Sequence, residues 1–242
     1  MIFDMHSHIL PGVDDGAKDL AESLALLQMM KEQGITAVMA TPHFYPAEVS
    51  ADQYRERVVT AYRQLKEAIA GKDLPHILLG SEVLYYRYIG QSETIRQFCL
   101  ADSPYLLLEL SDKSIHDGLF EDILLLQEQF GIIPIIAHIE RYHHFRGYQK
   151  LLDFVKKNHI PAQINVSGVM TRSEFRIIKR LLRNNLVQFI GTDSHSTDQR
   201  PPMMTQALQK LEKKFGRDCP QRLLQNGRIL YQNIVKDRSD AE

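Results

Sequence analysis

Two kinds of hydrophobic pattern take turns along the chain, and the one that covers the longer stretches has helical spacing. Leu20, Leu24 and Leu27 fall three and four positions apart, which places them on one face of a helix. Gly34 follows this stretch, as expected where a left-handed residue ends a helix. The pattern predicts helices over Leu20–Gln33, Ala51–Ala70, Ile115–Phe130, Gly147–Asn158, Ser173–Asn184, Pro202–Phe215 and Cys219–Asn226.

The second pattern consists of short apolar runs between those helices. It predicts strands over Ile2–His6, Ala37–Thr41, Ile77–Gly80, Tyr105–Glu109, Ile133–His138, Ala162–Val166 and Gln188–Gly191. Strands that alternate with helices about seven times indicate a parallel sheet. We therefore expect an α/β fold, a distorted seven-stranded (β/α)7 barrel, with an open doubly wound sheet as the alternative. The 242 residues suit a single domain over 1–242, ending in a polar, frayed tail over Asp237–Glu242.

Charged residues end most of the predicted strands. In a parallel barrel these ends meet at one rim, and His6 and His8, two positions apart, point to the same side of their strand. The candidate residues at this rim are His6, His8, Asp15, His43, Glu82, Glu109, His138, Asp193 and His195. Buried charged side chains are rare unless they are paired or bind metal. The sequence therefore predicts a metal site, to which the sixth strand offers only Asn165 and Ser167.

The chemistry of these side chains limits which metal ions the site is expected to bind. Nitrogen and oxygen ligands without sulfur favour zinc, manganese or iron. Nine ligands exceed the coordination shell of one ion, so we expect two or three divalent ions with a bridging carboxylate.

Composition excludes several other classes of protein. The chain is 44% hydrophobic and 24% charged with a net charge of −1, so no basic surplus indicates a nucleic-acid partner. Cys99 and Cys219 lie far apart, which favours a reduced, cytoplasmic location over a disulfide framework. No apolar run approaches the roughly 20 residues of a membrane-spanning helix, and the N-terminus lacks the pattern of a signal peptide. We therefore expect no direct insertion into a membrane.

The candidate ligands, in their order along the chain, resemble those of the PHP (polymerase and histidinol phosphatase) superfamily. Three motifs narrow the resemblance to its capsule-type bacterial protein-tyrosine phosphatases, the CpsB-like family. They are Asp4-Met-His-Ser-His-Ile-Leu-Pro-Gly-Val-Asp-Asp-Gly, Ala137-His-Ile-Glu-Arg-Tyr and Asp193-Ser-His-x4-Arg-Pro-Pro. The resemblance implies a distorted β/α barrel with a trinuclear metal centre, manganese being the first choice and zinc or iron the alternatives.

The resemblance also implies how the ligands divide among three ions. The first ion takes His6, His8, Glu82 and Asp193. The second shares Glu82 and adds Glu109 and His138. The third takes Asp15, His43 and His195.

Two arginines carry over as the residues that bind the phosphoryl group, Arg141 and Arg200. Their planar forks match phosphate oxygens in pairs. Relatives often have proline where this chain has Ile139, a departure that bears on the placement of Arg141. Protonation of the leaving group is open between His43 and a water molecule on the metal.

The implied function is a metal-dependent protein-tyrosine phosphatase that uses metal-activated water. Its implied substrate is a phosphotyrosine-bearing bacterial tyrosine kinase that regulates capsule or exopolysaccharide synthesis. A cysteine-dependent mechanism is excluded, because six residues beyond Cys99 and Cys219 lie Tyr105 and Gln225 instead of arginine. The alternatives are a small-molecule phosphomonoesterase, such as a histidinol phosphatase, and a metal-binding module without activity.

Overall fold

A computed structural model describes residues 1–239, with side chains to residue 236. Its strands form three parallel sheets, β1-β2-β4, β3-β5-β6-β7 and β8-β9. The strands are β1 Ile2–Ser7, β2 Ile35–Ala40, β3 His43–Phe44, β4 His76–Leu79, β5 Glu82–Leu84, β6 Tyr105–Glu109, β7 Ile133–Ile136, β8 Gln163–Asn165 and β9 Phe189–Gly191. The predicted parallel α/β class is confirmed.

Two of the predicted strands continue beyond a break. β3 follows β2 after Thr41-Pro42, and β5 follows β4 after Gly80-Ser81. Proline has no N–H for a ladder hydrogen bond, and the second half of each strand pairs in a different sheet from the first. The sequence analysis did not predict these extensions. They matter because they pair His43 directly with Glu82.

Contacts outside the regular ladders join the sheets near their carboxyl ends. Ser7 and Ser194 form one isolated parallel bridge, and Ile136 and Ala162 form another. The Asp193 N–H donates to the His6 carbonyl oxygen at 2.8 Å. These contacts place the end of β1 beside the loop after β9, and the end of β7 beside the residue that precedes β8.

The helices surround these sheets. They are α1 Leu20–Glu32, α2 Ala51–Ile69, α3 Asp117–Phe130, α4 Tyr148–Lys157, α5 Val166–Met170, α6 Arg172–Arg183, α7 Met204–Phe215 and α8 Asp218–Ser239. Every predicted helix except the last begins and ends within two residues of the observed one. Also unpredicted are α5 and the 3-10 turns Ile89–Gln91, Glu93–Phe98, Leu100–Asp102 and Ile139–His144. Among the described residues, no helix is long and apolar enough to span a membrane.

The prediction that the last helix ends at Asn226 is wrong. α8 continues through Gly227, where a Cβ atom would lie 3.6 Å from the Phe3 carbonyl oxygen. Leu230 and Ile234, further along α8, are buried in an apolar cluster that also contains Phe3. This packing accounts for the length of the helix. The backbone remains helical at 237–239, where a frayed tail was predicted, and residues 240–242 lie outside the described residues.

Candidate metal centre

The structure brings all nine predicted ligands together at the carboxyl ends of the strands. We call this set the ligand cluster: His6, His8, Asp15, His43, Glu82, Glu109, His138, Asp193 and His195. Three overlapping groups within it have ligand atoms all within 4.8 Å of one another. They are His6, His8, Glu82 and Asp193; then His8, Asp15, His43 and His195; then His43, Glu82 and Glu109.

Glu82 lies at the centre of the ligand cluster and is fully buried. Its Oε2 lies 3.1 Å from His6 Nε2, 3.2 Å from His8 Nε2 and 3.1 Å from His43 Nδ1. Its Oε1 lies 2.8 Å from His138 Nε2. One carboxylate therefore contacts four imidazole rings: two from the end of β1, one from β3 and one from the end of β7.

The cluster fits divalent cations. Among the described residues, Glu82 Oε2 and His43 Nδ1 are buried and have no hydrogen-bond partner of acceptable geometry. The Nε2 atoms of His6 and His8 face each other at 3.2 Å. Convergent nitrogen and oxygen lone pairs are the donor set that zinc, manganese and iron accept. The residues of the chain are thus able to hold metal ions.

A cation needs deprotonated ligands, and the metal-free cluster meets this need at Glu82, Asp193 and His43 but not at Glu109 or His8, whose pKa values are raised. Although burial opposes ionisation, the neighbouring His6 holds the pKa of Glu82 and of Asp193 well below the ordinary values. Burial lowers the pKa of His43 to about 4, so this ring is neutral at neutral pH. Burial, reinforced by Glu82, raises the pKa of Glu109 to about 8.

Asp193 connects the cluster to the two predicted phosphate-binding arginines. Its Oδ1 lies 3.4 Å from His6 Nε2 and from His8 Nε2. Its Oδ2 forms an ion pair with Arg141 Nη2 at 2.8 Å and accepts a hydrogen bond from Arg200 Nη2 at 2.6 Å. Both arginine side chains are about one-third exposed, at 33% and 34%. Two cationic forks therefore lie at the mouth of the ligand cluster.

Ile139 does not keep Arg141 from the site. It is fully buried at the start of the 3-10 turn Ile139–His144. The Arg141 N–H donates to the His138 carbonyl oxygen at 2.9 Å, which fixes the arginine directly beside a cluster residue.

The sequence analysis did not single out Asp14, the residue beside Asp15. Asp14 Oδ2 lies 2.7 Å from His8 Nδ1 and accepts the His43 N–H at 3.0 Å. A carboxylate on one ring nitrogen orients the other toward a ligand position. Asp15 is the exposed member of the pair, with its Oδ1 3.4 Å from His195 Nε2 and 3.6 Å from His43 Nε2.

Two neutral amides on β8 also contact the cluster: Gln163, which the sequence analysis missed, and Asn165, to which it gave no role. Gln163 Oε1 accepts the His138 N–H at 2.8 Å and lies 3.4 Å from His6 Nδ1. Gln163 Nε2 donates to Asn165 Oδ1 at 2.6 Å, and Asn165 Nδ2 donates to Asp193 Oδ2. This amide chain connects three members of the ligand cluster. The signal was present, since two amides lie two positions apart in an otherwise apolar strand.

Glu140 supports this amide chain and has no contact with Arg141 or the ligand cluster among the hydrogen bonds and ion pairs of the described residues. It is fully buried, and its Oε1 accepts the Asn165 N–H at 2.9 Å. Burial raises its pKa to about 8, so it holds a proton at neutral pH.

Among the described aromatic residues Phe44, Tyr45 and Tyr85, which lie in or just after β3 and β5, Tyr45 is the one that contacts the cluster. Tyr45 stacks on the His43 ring with 4.8 Å between ring centroids. Phe44 is buried against Phe98, at 4.0 Å, and Tyr85 donates its hydroxyl to Asp122 at 2.8 Å. Tyr45 is therefore the aromatic residue available at this rim.

The fold and the site define a parallel α/β protein with a clustered histidine–carboxylate site able to hold divalent metal ions. Residues 2–231 match the family described as capsular polysaccharide synthesis, CpsB/CapC. The chain belongs to the CpsB/CapC family.

Named relatives match this chain over nearly its full length. It is 33% identical to the tyrosine-protein phosphatase YwqE of Bacillus subtilis over 244 residues, covering 96% of this chain and 92% of that protein. It is 29% identical to the tyrosine-protein phosphatase CpsB of Streptococcus agalactiae over 248 residues, covering 96% and 99%.

A solved structure is similar as well, with a TM-score of 0.85 and 32% sequence identity, covering 96% of this chain and 95% of that one. It comes from crystal structures of YwqE from Bacillus subtilis and CpsB from Streptococcus pneumoniae, described as unique metal-dependent tyrosine phosphatases.

Proposed function

We propose that this chain is a metal-dependent protein-tyrosine phosphatase. The observation that carries the proposal is Asp193, whose two oxygens face a metal-ligand cluster on one side and Arg141 and Arg200 on the other. Phosphate monoester hydrolysis needs both an activated water and cations that neutralise phosphate charge. The similarity to tyrosine phosphatases over 96% of the chain supports the same assignment.

The proposed substrate is a phosphotyrosine-bearing protein, a bacterial tyrosine kinase that regulates capsule or exopolysaccharide synthesis. The family description, capsular polysaccharide synthesis, supports this choice. The proposed location is the cytoplasm, where the free thiols of Cys99 and Cys219 stay reduced.

Two or three divalent ions, manganese first and zinc or iron as alternatives, are proposed for the ligand cluster. His6, His8, Glu82 and Asp193 would hold one ion, and Glu82, Glu109 and His138 a second. Asp15, His43 and His195 would hold a third. When bound, such ions lower the pKa of water and offset charge on the phosphate oxygens.

The arginines and His43 have separate proposed roles. Arg141 and Arg200 bind and orient the phosphoryl oxygens, since each offers a partly exposed planar fork. The lowered pKa of His43, about 4, favours a ligand role over donation of a proton to the leaving group. Asp14 and Gln163 hold the histidine rings in the orientation that this chemistry requires.

We further propose that the three sheets are parts of one distorted seven-stranded barrel. β2 with β3, and β4 with β5, would each count as one interrupted strand. The Ser7–Ser194 and Ile136–Ala162 bridges support closure, because they connect the outer strands of separate sheets.

The function is tested by removing metal, reloading manganese, zinc or iron, and comparing kcat/KM on a phosphotyrosine peptide with that on histidinol phosphate. We expect activity only after reloading and a clear preference for the peptide. Preference for histidinol phosphate would favour a small-molecule phosphatase, the alternative function. No hydrolysis of any phosphomonoester by the metal-loaded protein would favour a binding module.

Arg200→Ala is the matching test of the phosphate site. We expect a rise in KM with unchanged metal content, because the Arg200 side chain pairs with the Oδ2 atoms of Asp193 and Asp15, whereas the Oδ1 atoms of both carboxylates face the histidines. Loss of bound metal in this variant would mean that Arg200 has a structural role instead.

A further inference from the structure

Helix α6 carries a row of four arginines along its solvent side, which we call the arginine stripe: Arg172, Arg176, Arg180 and Arg183. Intervals of four, four and three residues place them on one face of the helix. All four are exposed, whereas Ile178, Leu181 and Leu182 on the other face are buried.

The stripe lacks acidic partners. Within the described part of the chain, none of the four arginines forms an ion pair with a carboxylate. Arg180 alone has a side-chain hydrogen bond, from its Nη2 to Gln149 Oε1 at 3.0 Å. The helix dipole favours Arg180 and Arg183 in the last turn of α6. It does not favour Arg172 in the first turn, and like charges at this spacing repel each other, so helix stability does not explain the whole row.

Neighbouring lysines enlarge the positive surface. The Nζ atoms of Lys179 and Lys210 lie 5.6 Å and 4.6 Å from the centroid of the Phe175 ring, one cation from α6 and the other from α7. Glu174 is the single acidic residue within α6. This local excess stands out in a chain whose net charge is −1.

The stripe begins shortly after β8, the strand whose amides contact the ligand cluster. Arg172 follows Asn165 by seven residues, and Asn165 donates to Asp193, which also binds Arg141 and Arg200. α6 packs against the turn that carries Arg141. From Arg172 to Arg183 the helix extends about 17 Å, at roughly 1.5 Å per residue.

We propose that the arginine stripe docks a polyanionic polypeptide segment: further phosphotyrosines of the same substrate whose leading phosphotyrosine enters the site. This inference rests on the proposed function. A length of about 17 Å matches roughly five residues of extended chain, and guanidinium forks bind phosphate in pairs. A single row along one helix fits a linear polyanion better than it fits a flat lipid surface.

The test is a triple variant, Arg172→Gln, Arg176→Gln and Arg183→Gln, which leaves the Arg180–Gln149 hydrogen bond intact. Its substrates are a triply phosphorylated tyrosine peptide, a singly phosphorylated one and p-nitrophenyl phosphate. We expect KM for the triply phosphorylated peptide to rise about tenfold at low salt, as the loss of three exposed ion pairs implies. The kcat, and the KM values of the two smaller substrates, should stay unchanged.

A matched control removes three exposed arginines elsewhere, Arg55→Gln, Arg63→Gln and Arg228→Gln, for the same change in net charge. This control should leave every KM unchanged. The proposal is overturned if KM for the triply phosphorylated peptide does not rise in the stripe variant, or rises equally in both variants.

Direct binding separates this inference from the proposed function. If the protein hydrolyses no phosphotyrosine peptide, the proposed function fails, and fluorescence anisotropy with the labelled triply phosphorylated peptide still tests the stripe. Weaker binding by the stripe variant than by the control supports docking. Loss of binding to phosphatidylserine vesicles, with unchanged affinity for the peptide, would assign the stripe to a membrane and overturn the proposal.

Discussion

β1 and β8 end beside the same ligand cluster, one with two histidines and the other with two amides. His6 and His8 offer nitrogen atoms to the centre of the cluster, whereas Gln163 and Asn165 contact the ligands from outside it. The amides carry no charge, so they orient a ring or a carboxylate without competing for a cation. A strand that carries no ligands, such as β8, can therefore still affect how well the ligands on neighbouring strands bind metal.

The largest effect is expected from Glu82→Gln, which removes a charged ligand at the centre of the cluster. The substitution preserves size but removes the carboxylate that contacts four histidines. Bound metal should be lost, and phosphatase activity should fall on the order of 1,000-fold. Elemental analysis and a phosphotyrosine assay measure both, with exposed Glu48→Gln as the control. Full metal content with full activity would contradict the central place of Glu82.

Gln163→Leu removes one of the neutral amides that contact the ligands from outside the cluster. The variant loses the acceptor that contacts His138 and His6, so metal affinity should weaken by about 10- to 100-fold while stoichiometry is kept. Competition titration with a chelator measures the affinity. Gln188→Leu is the matched control, because Gln188 binds the Ala162 N–H at the other end of the same strand pair. Equal losses in the two variants would reduce Gln163 to a general packing role.

Asp14→Asn and Asp15→Asn compare a residue that orients a ligand with a neighbouring residue that is itself a proposed ligand. Asp14 holds His8 from behind, so its variant should bind the full number of ions about tenfold more weakly. Asp15 faces His43 and His195, so its variant should lose one ion. Metal stoichiometry from elemental analysis decides between the two roles, and identical results for both variants would rule out the distinction.

Glu140→Gln is expected to have the smallest effect on metal binding and activity, and its expected consequence is a change in how stability depends on pH. The pKa of Glu140 is raised by burial from 4.5 to about 8, so its contribution is fully present below pH 4.5 and is lost as pH rises through 8. Glutamine cannot ionise. Relative to the variant, the metal-free native protein should therefore lose about 1.4 kcal/mol per pH unit across that window.

Urea denaturation across this pH range measures the effect, with exposed Glu128→Gln as the control. Parallel stability curves for the native protein and Glu140→Gln would show that the buried carboxyl does not gain a proton on folding.

How far the site follows from the sequence depends on the residue type. Histidine, aspartate and glutamate at the end of an apolar strand are unusual, so eight of the nine ligands could be proposed from position alone. Asp15 lies in the loop after β1, and only the family resemblance distinguished it from Asp14. Gln163 and Asn165 are ordinary at a strand end, and their role arises only from the approach of His138 and Asp193 in space. Asp14 was missed because its neighbour Asp15 satisfied the same motif.

The fold likewise has features that the sequence predicts and features that it does not. Leucine spacing predicted α1 to within one residue, since that pattern is local. The breaks before His43 and Glu82 depend on which sheet each half-strand joins, which no local pattern records. The extension of α8 past Gly227 depends on its packing with Phe3, a contact across almost the whole chain.

Because Asp193 pairs with both arginines, the site selects among anionic ligands by their charge. An anion that engages Arg141 or Arg200 must displace a carboxylate oxygen that lies 2.8 Å and 2.6 Å from their Nη2 atoms. A dianionic phosphate ester competes well for these donors, whereas chloride or a simple carboxylic acid competes weakly. Libraries of monoanionic compounds are therefore a poor source of inhibitors for this protein, and phosphonates are the natural starting point.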